Sequence, residues 1–265
     1  MRMGSKQRGF TMVELVIAIV LMGIIAVGAT GFIISSVKGY SDMSRREGIA
    51  GTSRVAIDRI LREVRNALPN SARTDASGNC LEFVPILAAT QYVNIPLNAN
   101  NTNIQIIPFA EAPTLGRAAV YPITTTAVYQ TGSPAVISPD ITSAPSDLLG
   151  PGVETMTLAS GHRFPAESPS KRLFVVDTPV SYCLVGDRLY RYRNYARSAV
   201  QPAPSSLPTT EPNRVLLAYP VTATQPFTVV DATLQRNALV LAEFSVEQAG
   251  ERLLIQQEVQ IRNAP

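Results

Sequence analysis

The two cysteines and the single histidine of this sequence are the residue types best suited to redox, metal or nucleophilic chemistry. Cys80 and Cys183 can form a disulfide in an oxidising compartment. A zinc site would need more ligands than the sequence offers, because His162 is its only histidine. The residue types also allow a Cys–His catalytic pair, although a lone histidine is usually either hydrogen-bonded within the fold or exposed to solvent. We therefore expect a disulfide, no metal and no cofactor.

Arginines and tyrosines alternate in the segment 188–197. Positive charge and aromatic stacking together can hold single-stranded nucleic acid. On a β-strand, however, Arg191 and Arg193 share one face, while Tyr190 and Tyr192 share the other. The alternation predicts packed tyrosines and solvated arginines, and we expect no nucleic acid as a partner.

A carboxylate, Glu14, stands at the start of the most apolar stretch of the chain. From Leu15 to Val37 there are 23 consecutive residues without a charge. An ionised carboxylate at the centre of a bilayer costs about 2.5–3.5 kcal/mol, and less near the interface. Glu14 is therefore either an interfacial acid tolerated at a helix end or a functional carboxylate that needs a cationic partner inside the membrane.

The apolar stretch that follows Glu14 is long enough to span a membrane, since about twenty apolar residues on a helix cross the hydrocarbon layer. The first nine residues contain three basic side chains and no acid, and they account for the whole formal net charge of +3. By the positive-inside rule this end stays in the cytoplasm and the head lies on the far side. Thiols oxidise there, so Cys80 and Cys183 should pair, which in the chain-entropy model stabilises the head by on the order of 4–5 kcal/mol.

Residues 9–16, between the basic leader and the apolar run, resemble the class III signal of type IV pilins and pseudopilins. The resemblance implies that a prepilin peptidase cleaves the chain between Gly9 and Phe10 on the cytoplasmic side, and that Phe10 is then N-methylated. Glu14 becomes the fifth residue of the mature chain, where the family keeps its glutamate. The resemblance also implies a long N-terminal helix, half in lipid and half against a head.

The helical pattern continues beyond the membrane until Pro69 ends it. Apolar residues recur at the spacing of one buried helix face, at Ile57, Ile60, Leu61, Val64 and Leu68. We therefore divide the chain into a leader (1–9), a transmembrane helix (10–37), its amphipathic extension (38–68) and a β-rich periplasmic head (69–265).

Beyond the helix, short runs of β-type residues replace the helical period. The predicted strands are Leu81–Ile86, Ile104–Phe109, Leu173–Asp177, Val180–Val185, Arg188–Arg193, Ala238–Val246 and Leu253–Arg262. Gly186 and Gly250 lie where tight hairpin turns are expected. Polar, proline-bearing stretches at Thr124–Gly152 and Ser198–Asn213 are predicted to be loops. The sequence thus predicts an α+β fold, a type IV pilin-like long helix packed on an antiparallel sheet.

The head adds a finer resemblance. Its segments 80–85, 180–184, 189–192 and 261–263 resemble minor pilins of the mannose-sensitive haemagglutinin (MSHA) pilus, of the MshO type. The resemblance implies a minor pilin for pilus biogenesis and surface attachment, held in the bacterial inner membrane and later in the fibre. Its partners would be the prepilin peptidase, other major and minor pilins, the inner-membrane assembly platform and the membrane itself.

Two alternatives remain open at this point. The J-type minor pseudopilins of type II secretion share the general outline of the head. A protein of another class, an uncleaved membrane-anchored periplasmic enzyme or adhesin, would keep the leader. The sequence has no glycine-rich phosphate loop, no Ser/His/Asp arrangement and no acidic cluster with calcium-loop spacing, so we expect no enzyme.

Overall fold

The computed structural model describes residues 9–145, 152–232, 236–248 and 250–261. Its contacts divide the chain into two compact units, with the boundary between Gly48 and Ile49. The predicted leader, apart from Gly9, lies outside the described residues, and so does most of the terminal segment 261–263.

Helix α1 spans Met12–Arg65, helix α2 spans Thr125–Tyr129, and a single 3₁₀ turn spans Pro204–Ser206 within the described residues. The strands are β1 (Arg73–Thr74), β2 (Cys80–Phe83), β3 (Ile86–Asn94), β4 (Asn101–Ile106), β5 (Arg117–Val120), β6 (Ile137–Ser143), β7 (Glu154–His162), β8 (Arg172–Val176), β9 (Val180–Val185), β10 (Arg188–Tyr192), β11 (Arg214–Ala218), β12 (Val221–Thr222), β13 (Phe227–Val230), β14 (Ala238–Gln248) and β15 (Glu251–Ile261).

The first part of α1 has no buried face of its own. All residues from 9 to 44 are exposed except Ala18, which is half-buried. The helix is long and apolar enough to cross a membrane, and none of its most apolar window is buried. An apolar surface of this length is stable only against lipid or other apolar partners.

From Ile49 onwards α1 has one buried face, as its apolar spacing predicts. The buried residues are Ile49, Ser53, Ala56, Ile57, Ile60 and Val64. The predicted end at Leu68 is wrong by three residues, because the Leu68 amide donates to the Val84 carbonyl (2.8 Å) and leaves the helical ladder. The start also shifts, from the predicted Phe10 to Met12.

Two antiparallel sheets enclose that buried face. One has the order β1-β2-β9-β10-β11; in the other, β14 pairs with β12, β13 and, along its whole length, β15. Their inward side chains, among them Phe83, Tyr182, Phe227 and Phe244, form one core with the helix. The hairpin turns expected at Gly186 and Gly250 are present, and both glycines have the positive φ that such turns favour.

The remaining six strands close into a barrel of order β3-β4-β7-β6-β5-β8, with a core of its own. The single sheet expected from the sequence is therefore wrong, although the α+β class and the antiparallel pairing are confirmed. The predicted loop Thr124–Gly152 in fact contains α2 and β6. Proline and register shifts interrupt the alternation of β6, and this is why its pattern is weak in the sequence.

Candidate functional site

The start of α1 is organised by three reciprocal hydrogen bonds between Thr11 and Glu14. The Glu14 amide donates to the Thr11 hydroxyl (3.3 Å), and the Glu14 carboxylate accepts from the Thr11 amide (3.3 Å) and hydroxyl (3.2 Å). This is a capping box, which satisfies amides that have no partner within the helix. Sequence reasoning missed it, although the spacing Thr-x-x-Glu at a helix start is its signature.

Gly9 and Phe10 precede this cap in an exposed segment. A Cβ added at Gly9 would meet no atom of the described residues within 4 Å. The folded chain therefore gives no reason of its own for a glycine at this position. A requirement for glycine at position 9 would come from a processing enzyme that binds the segment.

The predicted bond between Cys80 and Cys183 is present. The two cysteines are directly opposite each other on β2 and β9, and both are buried. Tyr190 and Tyr192 pack against the bond, so the prediction of packed tyrosines is confirmed. A bonded pair of cysteines holds no free thiol, so neither can act as a nucleophile with His162.

The prediction of solvated arginines is wrong for Arg191, which is only 9% exposed. Its Nε donates to the carboxylate of Glu63 on α1 at 2.9 Å, and Arg59 donates to the same carboxylate at 3.2 Å. The face of β10 that carries Arg191 meets the end of α1, where Glu63 supplies the counter-charge. The Arg191–Glu63 contact joins strand β10 to the helix, whereas the Arg59–Glu63 contact lies within the helix.

A second buried ion pair had no sequence signal. Glu82 on β2 is fully buried and accepts hydrogen bonds from Arg73 (2.6 Å) and from the Tyr195 hydroxyl (3.1 Å). Burial raises the pKa of Glu82, and the charge of Arg73 offsets part of that rise. This pair belongs to the architecture of the five-stranded sheet.

His162 lies at the end of β7 in the barrel, apart from the sheet that holds the cysteines. Its Nε2 is 2.9 Å from the carbonyl oxygen of Ala135, and its ring packs edge-on against Phe164. Burial lowers the pKa of His162, so the neutral ring donates through Nε2. The histidine is buried and satisfied at one nitrogen, as expected for a lone histidine.

Comparison with known proteins places the N-terminal segment in a class. Residues 4–30 match the prokaryotic N-terminal methylation motif, and the match includes Gly9, Phe10 and Glu14. No curated protein and no solved structure matches the chain. The motif indicates a prepilin-type pilin or pseudopilin, which implies processing by a prepilin peptidase. Together with the exposed apolar helix, it fits a membrane-anchored protein.

Proposed function

We propose that the chain is a minor pilin, a structural and assembly subunit of a type IV pilus of the MSHA type, and not an enzyme. The observation that supports the pilin class is the methylation motif at residues 4–30; the MSHA type and the minor role rest on the resemblance of the head segments to MshO-type minor pilins. The precursor would lie in the inner membrane as a single-pass protein with a cytoplasmic N-terminus and a periplasmic head. The mature chain would join other pilins in the fibre through the assembly platform.

The size of the head supports a minor role. Two antiparallel sheets and a closed barrel follow the helix, and the resemblance implies that such a head is larger than that of a typical major pilin. A subunit with a large head suits a position at which few copies are needed, such as the initiation or capping of a fibre.

The chemistry of assembly would involve Glu14. Cleavage after Gly9 creates a cationic amine on Phe10, next to the Thr11 amide that already contacts the Glu14 carboxylate. Within one chain this amine can neutralise Glu14. In a staggered bundle of helices, Glu14 can instead bind the Phe10 amine of an adjacent subunit. Such a pair is far stronger in lipid than on a wet surface, because the effective dielectric constant is low.

The capping box means that an alanine at position 14 would remove two things, the negative charge and a helix cap. Glu14→Gln separates them, since glutamine also serves in a capping box but carries no charge. Thr11→Ala is the matched control, because it removes the hydroxyl of the cap and keeps the charge. The amount of each variant in sheared pili, relative to the inner membrane, measures assembly.

We expect Glu14→Gln and Glu14→Ala to be cleaved normally and to enter the fibre equally poorly, while Thr11→Ala enters as the wild type does. Wild-type amounts of Glu14→Gln in sheared pili would show that Glu14 acts only as a cap and an interfacial acid. That result would contradict the docking role.

The alternative of a J-type minor pseudopilin predicts that the chain copurifies with a secretion apparatus and is absent from sheared pili. An uncleaved membrane-anchored enzyme or adhesin predicts a chain that keeps its leader. Intact mass of the protein from cells distinguishes this last class from both pilin classes.

A further inference from the structure

A cleft of about 460 Å³ is lined by strands of the barrel and by the loop after β10. The start of β5, the start of β6 and the end of β7 form its walls, and the loop after β10 closes it with Arg197. Its volume lies in the range of about 300–1,000 Å³ that is usual for small-molecule sites. The cleft is separate from the N-terminal motif and from the disulfide.

Arg197 is a half-buried cation without a counter-charge. Its Nη2 donates to the Gln130 carbonyl oxygen at 3.2 Å, whereas its Nε is buried without a hydrogen-bond partner. No carboxylate pairs with it among the residues that the structure describes. Burial and the nearby positive charge of Arg117 lower the pKa of Arg197 to about 10, so it stays cationic at neutral pH.

Two other arginines that turn inward, Arg73 and Arg191, have carboxylate partners. Arg73 pairs with Glu82 at 2.6 Å, and Arg191 pairs with Glu63 at 2.9 Å. A half-buried charge without a partner is costly to the folded chain, and such charges are concentrated at binding sites. Arg197 thus differs from Arg73 and Arg191 in the one respect that a bound anion would correct.

Two further features of the cleft suit a ligand that carries hydroxyl groups. His162 lies in its wall, is fully buried, and has no hydrogen-bond partner at Nδ1. In the neutral ring this nitrogen is an acceptor, because Nε2 holds the proton. Thr131 and Ser160 add exposed hydroxyl groups at the rim.

We propose that this cleft, the Arg197 cleft, binds a small acidic molecule of monosaccharide size that carries hydroxyl groups beside its carboxylate. The carboxylate lies against the guanidinium of Arg197, whose planar fork matches it in geometry and charge. Arg117 also lines the cleft, but its Nε donates to the carboxylate of Asp140 at 2.8 Å, so Arg197 is the cation that the bound carboxylate meets. This role does not depend on fibre assembly.

The test is calorimetric titration of the full chain in detergent micelles with glucuronate as the probe. Glucose has the same ring without the carboxylate, and acetate has the carboxylate without the hydroxyl groups. We expect measurable binding of glucuronate, none of glucose, and at least tenfold weaker binding of acetate. Equal binding of glucose and glucuronate, or no binding of glucuronate, would overturn the proposal.

Arg197→Gln should weaken glucuronate binding at least tenfold. The control is Arg193→Gln, which removes a half-buried arginine that also donates to a carbonyl, that of Pro212, but lies outside the cleft. It should leave the affinity unchanged. Because Arg197 has no carboxylate partner, Arg197→Gln should not lower the thermal midpoint of the ligand-free protein.

If Arg197 instead stabilises the fold, Arg197→Gln should lower the thermal midpoint of the ligand-free protein. If Arg197→Gln lowers the ligand-free midpoint as much as Arg191→Gln, which breaks the ion pair with Glu63, then the proposal is wrong. Arg197→Lys keeps the charge and loses the fork, so it should retain part of the affinity. Complete retention of glucuronate binding by Arg197→Gln would also refute the site.

Discussion

The two units of the chain use the same apolar residue types in opposite ways. In the first part of α1, Ile24 is 65% exposed, whereas Ile60 in the last part of the same helix is fully buried. In the first unit the candidate functional residues lie in one short linear motif. The hydrogen bonds at its helix start join residues three or four positions apart. The second unit instead joins distant residues, such as Glu63 and Arg191. Changes in one unit should therefore leave the other unit intact.

The largest effect that tests this independence concerns Gly9. Replacement of Gly9 by leucine should abolish shortening, so that intact mass shows 265 residues instead of the 256 that remain after removal of nine. The head should be unaffected, because a Cβ at position 9 meets no atom of the described residues within 4 Å. Gly39→Leu is the control, since it lies at an equally open position outside the motif.

Normal shortening of Gly9→Leu would contradict the prepilin assignment. A loss of head stability in that variant would instead show that the two units are coupled.

The disulfide tests the same independence by a change in the head, with N-terminal shortening as the property that should stay unchanged. The double change Cys80→Ser and Cys183→Ser opens a link between residues 103 positions apart. In the chain-entropy model it should lower the free energy of unfolding of the head by about 4–5 kcal/mol. N-terminal shortening should proceed as in the wild type, because the peptidase acts on the linear motif.

Chemical denaturation measures the loss in the serine variant, and intact mass measures the shortening. Alkylation of the unreduced wild-type protein should find no free thiol. Two alkylated cysteines in protein from an oxidising compartment would disprove the bond.

A smaller effect concerns the buried pair of Arg73 and Glu82. Arg73→Met leaves the Glu82 carboxylate buried without its counter-charge, which should cost about 3–5 kcal/mol at neutral pH. Because burial raises the pKa of Glu82, folding favours its protonated form. The ionisation of Glu82 therefore lowers the free energy of unfolding as the pH rises through the pKa of Glu82 in the folded state. The decrease is larger when Arg73 is absent.

The loss in Arg73→Met should thus shrink when denaturation is measured at acid pH, where Glu82 is neutral. Lys171→Met is the control, because its partner Glu167 is exposed and the pair contributes little. An Arg73→Met loss that is the same at acid and neutral pH would mean that Glu82 is protonated throughout.

Much of the N-terminal motif and of helix α1 could be predicted from the sequence. The processing motif, the apolar span and the buried helix face depend on neighbours within about one or two helical turns, so their spacing is visible in the chain. The hairpins at Gly186 and Gly250 follow from turn chemistry in the same way. The disulfide followed from the presence of only two cysteines and from the expected compartment.

Tertiary structure alone decided the rest of the head. The barrel closes through pairings with register shifts, and the sequence pattern of those strands is interrupted where the shifts occur. Period-two alternation gave the correct partition of Arg191 and Tyr190 between two faces, but it could not show that the arginine face meets Glu63 on α1. Arg197 was likewise one more cation in a basic segment, and only the fold shows that no carboxylate meets it among the described residues. Side-chain periodicity is a local property, whereas counter-charges and barrel closure depend on which distant strands pair.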